Sequence, residues 1–315
     1  MAGKKPLLVA LIIITVSAAA GLTALDYIQI QQRLIVATTT SLYETGLLTY
    51  LIPSFEVRWN VKVHLIAVGT GQAIALGRDG DCDLVLVHAR NLEDEFIQQG
   101  YGLHRVTLWY NDFIIIGPEN DPANITGLTN VTEAFIRIYS AGEMGRCNFY
   151  SRGDSSGTEE REKQIWLNTG LLTPDPNVNK WYKRTGQGMS ETLIITNEDP
   201  AGYTITDRGS YVNLINRISL KILVENSTLL LNPYSAILVN PEINQRVNIQ
   251  LAVKFIAYLC WSETQKMVDE YKKNKIQLFH SCYGKSNSTD LGFDTDEQVA
   301  ESLAYWDPII KAYYS

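Results

Sequence analysis

Four times along this chain a short apolar stretch ends in a cluster of Thr, Ser and Gly and passes directly into a helical pattern. The clusters are ATTTS (37–41), VGTGQA (68–73), SRGDSSGT (151–158) and TGQGMS (185–190). A strand turning straight into a helix is the unit of an α/β fold with a parallel sheet. The surrounding pattern agrees. Residues 34–37 read as a strand, 46–55 carry apolar residues at helical spacing, 61–68 alternate, 72–78 read as a helix, and 83–87 form a fully apolar strand. Another buried strand at 113–116 stops at Gly117-Pro118, and the alternation resumes through 121–230. Asn232-Pro233-Tyr234 then leads into a strand at 236–239, and one long apolar helix is predicted over 247–271.

A chain of 315 residues is long enough for two cores. The expected domains are lobe I over 33–115, lobe II over 116–231 and the completion of lobe I over 232–315. Two crossings, near 115 and near 232, would leave a cleft between the lobes. With 45% apolar and 19% charged residues the chain folds, and a net charge of -7 argues against a nucleic-acid partner.

Residues 1–32 are of a different kind. Lys4 and Lys5 precede an almost unbroken apolar run from 6 to 25, about the length a bilayer core requires at ~1.5 Å per residue. The remainder is therefore placed outside the cytosol by the positive-inside bias. A cleaved signal and an uncleaved anchor both fit, and the anchor is favoured. Sequons at Asn124, Asn130, Asn226 and Asn287 are usable there if the host glycosylates. Cys82, Cys147, Cys260 and Cys282 show no metal-binding spacing, so Cys260 with Cys282 is the expected disulfide in an oxidising compartment, four buried thiols being the alternative.

Two of the four clusters run into capping-box spacing, Ser41 with Glu44 and Ser156 with Glu159. Taken singly they are ordinary helix caps. Taken together they imply more, because a helix N-terminus offers free N–H groups and a partial positive charge. In open α/β sheets, ligands sit at the carboxyl ends of the strands, where such turns lie. Arg152 adds a full charge in a planar fork that suits a tetrahedral oxyanion.

Other chemistries fit less well. A P-loop is absent, since neither glycine cluster is followed by Lys-Ser or Lys-Thr. A serine hydrolase needs a histidine and a carboxylate beside its serine. Of His64, His88, His104 and His280, His64 occupies a polar position of an alternating strand and His104 a loop. Arg152-Gly153-Asp154 spells an adhesion tripeptide, but it abuts a strand end and a helix start instead of an exposed loop. A surface enzyme using the same cradle on a phosphorylated substrate would need a nucleophile or metal near Arg152.

As a set, ATTTS-LYETGLL, VGTGQA, DLVLVHA, YNDFIIIGP, SRGDSSGT, TGQGM and TDRG resemble, in order and spacing, the tungstate-binding proteins of ABC importers. The resemblance implies a type II periplasmic-binding-protein fold, in which two mixed sheets flanked by helices close on a ligand. It also implies delivery to an ABC permease driven by its ATPase, with no catalysis, no cofactor and no metal cation, and a monomer. Carried over by motif, the tungstate or molybdate ligands are Thr39, Thr40 and Ser41, then Thr70 and Gly71, then Arg152, Ser156 and Thr158, with Gln187 and Gly188 closing the site. Tyr110, Asn111 and Asp112 read as a hinge, whereas Asp207 and Arg208 are either a structural pair or neighbours of the ligand.

The nearest rival resemblance is to phosphate-binding proteins of importers, which share Arg152 followed by Ser156-Gly157-Thr158. Phosphate carries a proton near neutral pH and benefits from a carboxylate acceptor, which would repel a bare dianion. The Asp usual in the phosphate family after DLVLVHA is replaced by His88-Ala89. Asp154 is the one remaining candidate acceptor; capping its own turn, or pairing with an Arg, is the preferred role. His88 reads as a satisfied buried histidine outside the site.

Overall fold

The computed structural model describes residues 32–243, 245–284, 289 and 291–314. The N-terminal apolar run and the sequon at Asn287 lie outside the described residues. Among those described, no helix is long and apolar enough to cross a membrane.

The chain opens with β1 (Gln32–Thr39), α1 (Thr40–Thr45), α2 (Leu47–Trp59), β2 (Val61–Val68), α3 (Thr70–Asp79), β3 (Leu84–Val87) and α4 (Arg90–Gln98). β1 lies between β2 and β3, parallel to both, with Thr39 opposite Val68 and Thr38 opposite Leu86. Three strand-to-helix turns therefore emerge along one edge. Alternation along β1 sends Val36 to one face and Ala37 to the other, and each face buries its own apolar cluster. Phe55, Phe255 and Trp306 fill the first; Val85, Phe96 and Ile237 fill the second.

β4 (Gly102–Gly117) is far longer than the 113–116 strand expected from sequence. Its residues 102–112 pair antiparallel with β9 (Leu231–Val239), and its residues 113–116 pair with β7 (Gly202–Asp207). One strand thus serves both sheets, and the full order is β2-β1-β3-β9-β4-β7-β5-β6. The part of the sheet beyond β4 contains β5 (Asn148–Ser151), β6 (Tyr182–Arg184) and β7, with β8 (Lys221–Val224) also on β4. It is covered by α5 (Val131–Glu143), α6 (Gly157–Asn168), α7 (Met189–Glu198) and α8 (Arg208–Leu214). Its core is aromatic: Phe135, Phe149, Trp166, Trp181, Tyr182 and Tyr203 cluster, with the Phe135 and Trp166 rings 4.4 Å apart.

The expected helix over 247–271 is two helices, α9 (Ile249–Cys260) and α10 (Ser262–Glu270), broken where Trp261 is extended at ψ 139. The break is stable because the Gln265 amide donates to the Leu259 carbonyl at 2.7 Å, serving a group the helix end leaves unpaired. The expected Cys260–Cys282 disulfide is absent, and all four cysteines are buried thiols. Cys260 packs into the core at the end of α9, while the Cys282 N–H is held by the Leu108 carbonyl at 3.1 Å. Burial pushes the Cys82 and Cys147 thiols up to about 12. β10 (His280–Ser281) then pairs with β4, and α11 (Asp296–Tyr314) ends the described chain.

Where β4 changes partners, Arg208 locks the junction. Its Nε donates to Asp112 Oδ1 at 2.7 Å, and its terminal nitrogen donates to Asp112 Oδ2 at 2.5 Å and Glu225 Oε2 at 2.6 Å. The next residue, Gly209, lets α8 close on α1, since a Cβ there would lie 2.8 Å from Thr45 Cγ2. Arg208→Met should lower stability by about 3 kcal/mol, because it strands Asp112 in a half-buried setting. Urea denaturation checks this; a loss below about 1 kcal/mol would show that the junction does not depend on the pair.

Candidate oxyanion site

The four clusters come out unequal. In the first, Thr39 caps α1 by accepting from the Leu42 N–H at 3.3 Å, and it shares a hydrogen bond with Ser41 Oγ at 3.2 Å. The cap is Thr39 and not the expected Ser41–Glu44 box, because Glu44 reaches across the cleft to accept from Ser190 Oγ at 3.3 Å. Thr39 and Ser41 are buried and Thr40 is half-buried. In the second, Thr70 is buried at the first position of α3, and the following Gly71 is exposed.

The third turn is the most complete. Arg152, Ser156, Gly157 and Thr158 are all buried between the end of β5 and the start of α6. Ser156 caps α6 by accepting from the Glu159 N–H at 3.3 Å. Glu159 returns to the Ser155 N–H, because the Ser156 N–H already donates to Asp154 Oδ1 at 3.2 Å; only half of the capping box forms. Asp154 Oδ2 accepts from Arg152 at 2.5 Å, so Asp154 both caps its turn and pairs with the arginine. Apart from Ser151 Oγ, which faces Glu162, two donors remain at the turn: Arg152 Nε and Thr158 Oγ1 are buried without a hydrogen-bond partner. An unsatisfied buried donor costs about 1–3 kcal/mol, and two in one turn mark a place built for an acceptor.

The fourth cluster is a rim. Gln187 is exposed and Gly188 half-buried. Glu191, in the first turn of α7, lies so close that a Cβ on Gly188 would meet its carboxylate at 2.9 Å. That helix end already has its anion.

The turn after β3 faces the start of α6 directly. A Cβ on Gly157 would lie 2.7 Å from His88 Cε1, so this approach requires glycine. Nearby, Asn91 Nδ2 donates to Glu160 Oε1 at 2.9 Å. His88 Nδ1 is 2.8 Å from Asn232 Oδ1, Asn232 Nδ2 donates to Asn111 Oδ1 at 2.7 Å, and Asn111 Nδ2 donates to the Tyr234 hydroxyl at 3.5 Å. This buried chain joins β3 to both crossing strands, which puts Asn111 and Asp112 at the hinge. Sequence reading took Asn232 and Tyr234 only as the lead into a strand, as nothing in isolated residues signals a network assembled from three strands. Burial lowers the His88 pKa to about 4, the Arg152 and Arg161 guanidinia adding to the effect against the bond with Asn232, so the imidazole is neutral. His88 is thus the satisfied buried histidine expected.

Asp207 accepts from the N–H and Oγ of Ser210 at 2.9 and 2.7 Å, capping α8. Together with Arg208 at the junction, it makes TDRG structural. The run Gly153-Asp154-Ser155-Ser156-Gly157 also has the G-x-S-x-G spacing of a nucleophile elbow, and Ser155, at φ 58 and exposed, has an elbow's strain and access. The general base is what is missing: among the described residues no histidine bonds the Ser155 hydroxyl.

Two α/β halves joined by two crossing strands, with the turn after β3 of one facing the start of α6 of the other, have the architecture of a solute-binding protein. The PBP superfamily domain matches residues 17–263. A tungstate-binding protein TupA from Peptoclostridium acidaminophilum is 39% identical over 248 residues, covering 78% of this chain and 84% of that protein. A putative ABC transporter anion-binding protein from Haloferax volcanii is 42% identical over 253 residues, covering 79% of this chain and 71% of its own. The solved structure of TupA from Desulfovibrio alaskensis G20 superposes with a TM-score of 0.69 at 41% identity, covering 80% of this chain and 99% of that one. The chain belongs to the PBP superfamily and, within it, to the family of the tungstate-binding proteins TupA.

Behind Arg152 lies a second titrating group. Glu162 Oε1 accepts from Tyr182 Oη at 2.7 Å and from Trp166 Nε1 at 3.1 Å, beside the Ser151 hydroxyl. Burial raises its pKa from 4.5 to about 7, against those hydrogen bonds and with the Glu159 charge helping. The folded protein therefore holds a proton that the unfolded chain releases, and stability falls as pH rises from 4.5 to about 7. His88 works oppositely, since between 6.5 and about 4 only the unfolded chain takes up its proton. Glu162→Gln removes the first effect alone. The variant should gain stability on wild type as pH rises from about 5 to about 8 in urea midpoints; a pH-independent difference would place the Glu162 carboxyl near its ordinary range.

Proposed function

We propose that this protein captures tungstate outside the cytosol and hands it to an ABC permease driven by its ATPase, tethered by the N-terminal apolar run. The observation that carries the reading is the pair of buried, partnerless donors at one turn, Arg152 Nε and Thr158 Oγ1. Thr39, Thr40, Ser41, Thr70 and Gly71 supply further hydroxyls and N–H groups from the facing lobe. Gln187 and Gly188 border the opening. The kinship with proteins named for tungstate gives the ligand its identity.

The carboxylates around Arg152 favour a bare dianion over a protonated one. Asp154 is engaged by Arg152 and the Ser156 N–H, Asp207 by Ser210, and Glu44 by Ser190. A phosphate carrying its proton would find both oxygens of Asp154 and of Asp207 already engaged. Tungstate and molybdate have equal charge and nearly equal size, so this donor set takes both.

Calorimetric titration of the full-length chain in mild detergent with tungstate, molybdate, sulfate and phosphate tests the reading. Tungstate should bind at least about a hundredfold more tightly than phosphate, a gap of about 3 kcal/mol. Arg152→Ala should weaken tungstate about a hundredfold or more, because it removes the charged half of a desolvated contact. Tight phosphate binding without tungstate binding would overturn the assignment.

A further inference from the structure

We propose that Arg161 is a second ligand-binding arginine, which supplies the positive charge that Arg152 cannot supply alone. This rests on the oxyanion reading above and adds a residue to that same site.

The charge balance around Arg152 motivates it. Its guanidinium is paired with Asp154 at 2.5 Å, and its field also acts on the Glu44 and Asp207 carboxylates. One positive charge already faces three negative ones before a dianion brings two more. The other guanidinia near the third turn are taken: Arg184 by Glu159 at 3.0 Å and the Gly153 carbonyl at 3.1 Å, and Arg208 by Asp112 and Glu225. Arg161 is half-buried, yet among the described residues it makes no hydrogen bond and no ion pair. Glu160, its chain neighbour, is the one carboxylate acting on it, and Glu160 Oε1 is engaged by Asn91 and Gln164. Arg161 is thus a half-buried guanidinium with five donors and no protein acceptor.

Its place on α6 directs it to the site. Arg161 lies four residues after Gly157 and three after Thr158, so all three share one face of the helix. Helical side chains lean toward the N-terminus, the direction of the turn that holds Arg152 and Thr158. His88, which fills the space over Gly157, feels the charges of both Arg152 and Arg161. Its neutral imidazole avoids a third positive charge there. A second guanidinium raises the local balance by one positive charge, whereas Arg152 with Asp154 is nearly neutral as a pair.

Tungstate titrations of the full-length wild type, Arg161→Gln and Arg161→Lys, with the thermal midpoint of each ligand-free protein, decide the matter. Arg161→Gln should weaken tungstate binding by about tenfold or more, as expected for losing one charge-assisted contact, without lowering the ligand-free midpoint. Arg161→Lys should recover part of the loss because the charge remains. Affinity within about twofold of wild type in Arg161→Gln overturns the proposal, as does a lowered ligand-free midpoint with unchanged affinity, which assigns Arg161 a structural role. If wild type itself gives no tungstate heat, the oxyanion reading fails instead, so the two failures are distinguishable.

Discussion

The fold depends on one strand holding two sheets. β4 exchanges β9 for β7 between Asp112 and Phe113, so any rotation of one lobe against the other is absorbed there and at the return near Leu231. Ladder hydrogen bonds alone would leave that point soft. Arg208 ties it from one side by a forked contact to Asp112, and the His88–Asn232–Asn111–Tyr234 chain ties it from the other. Both ties are polar, the first half-buried and the second buried, and a buried network favours one arrangement because every alternative strands a desolvated partner.

This rigidity has a counterpart in the cleft, where the protein leaves its own groups unsatisfied. Arg152 Nε and Thr158 Oγ1 are held in place by backbone geometry: the end of β5, the Asp154 turn and the Ser156 cap. Donors fixed beforehand need no reorganisation when an anion arrives, so their attraction is not spent on ordering side chains. The cost falls on the ligand-free state, which the aromatic core behind α6 and the junction at Arg208 sustain. Glu162 belongs to that support, since below about 7 burial keeps its carboxyl protonated and adds no negative charge behind the site.

Much of this was legible in the sequence because it is local. Apolar periodicity and strand-then-helix punctuation gave the α/β class, and the hydroxyl-glycine clusters marked the turns at the strand ends. What failed was mostly non-local. The helix expected over 247–271 is broken by a side-chain bond from Gln265 to Leu259, which no propensity reports. The Ser41–Glu44 box did not form because Glu44 finds Ser190, 146 residues away. Cys260 and Cys282 come near each other, as the pairing required, but both stay thiols in the core. TGQGMS looked equivalent to the other clusters, and only the position of Glu191 over its helix end shows otherwise. Arg161 left no trace, because a lone arginine on an acidic helix reads as a solvated face until its lack of a partner is seen.

Asp154 is where local and global arguments meet. By charge alone a carboxylate within hydrogen-bond reach of Arg152 should oppose an anion, and at short range in a low-dielectric cleft the opposition is strong. Its two oxygens are committed, however, one to the guanidinium and one to the Ser156 N–H, so it acts as a brace. Holding the terminal nitrogen of Arg152 fixes the plane of the fork and leaves Nε as the edge without a protein acceptor. The arginine thereby loses net charge but gains direction. A site that must discriminate among anions of equal shape by their protonation needs that direction, since an oriented N–H favours an oxygen without a hydrogen, whereas an undirected charge would accept either.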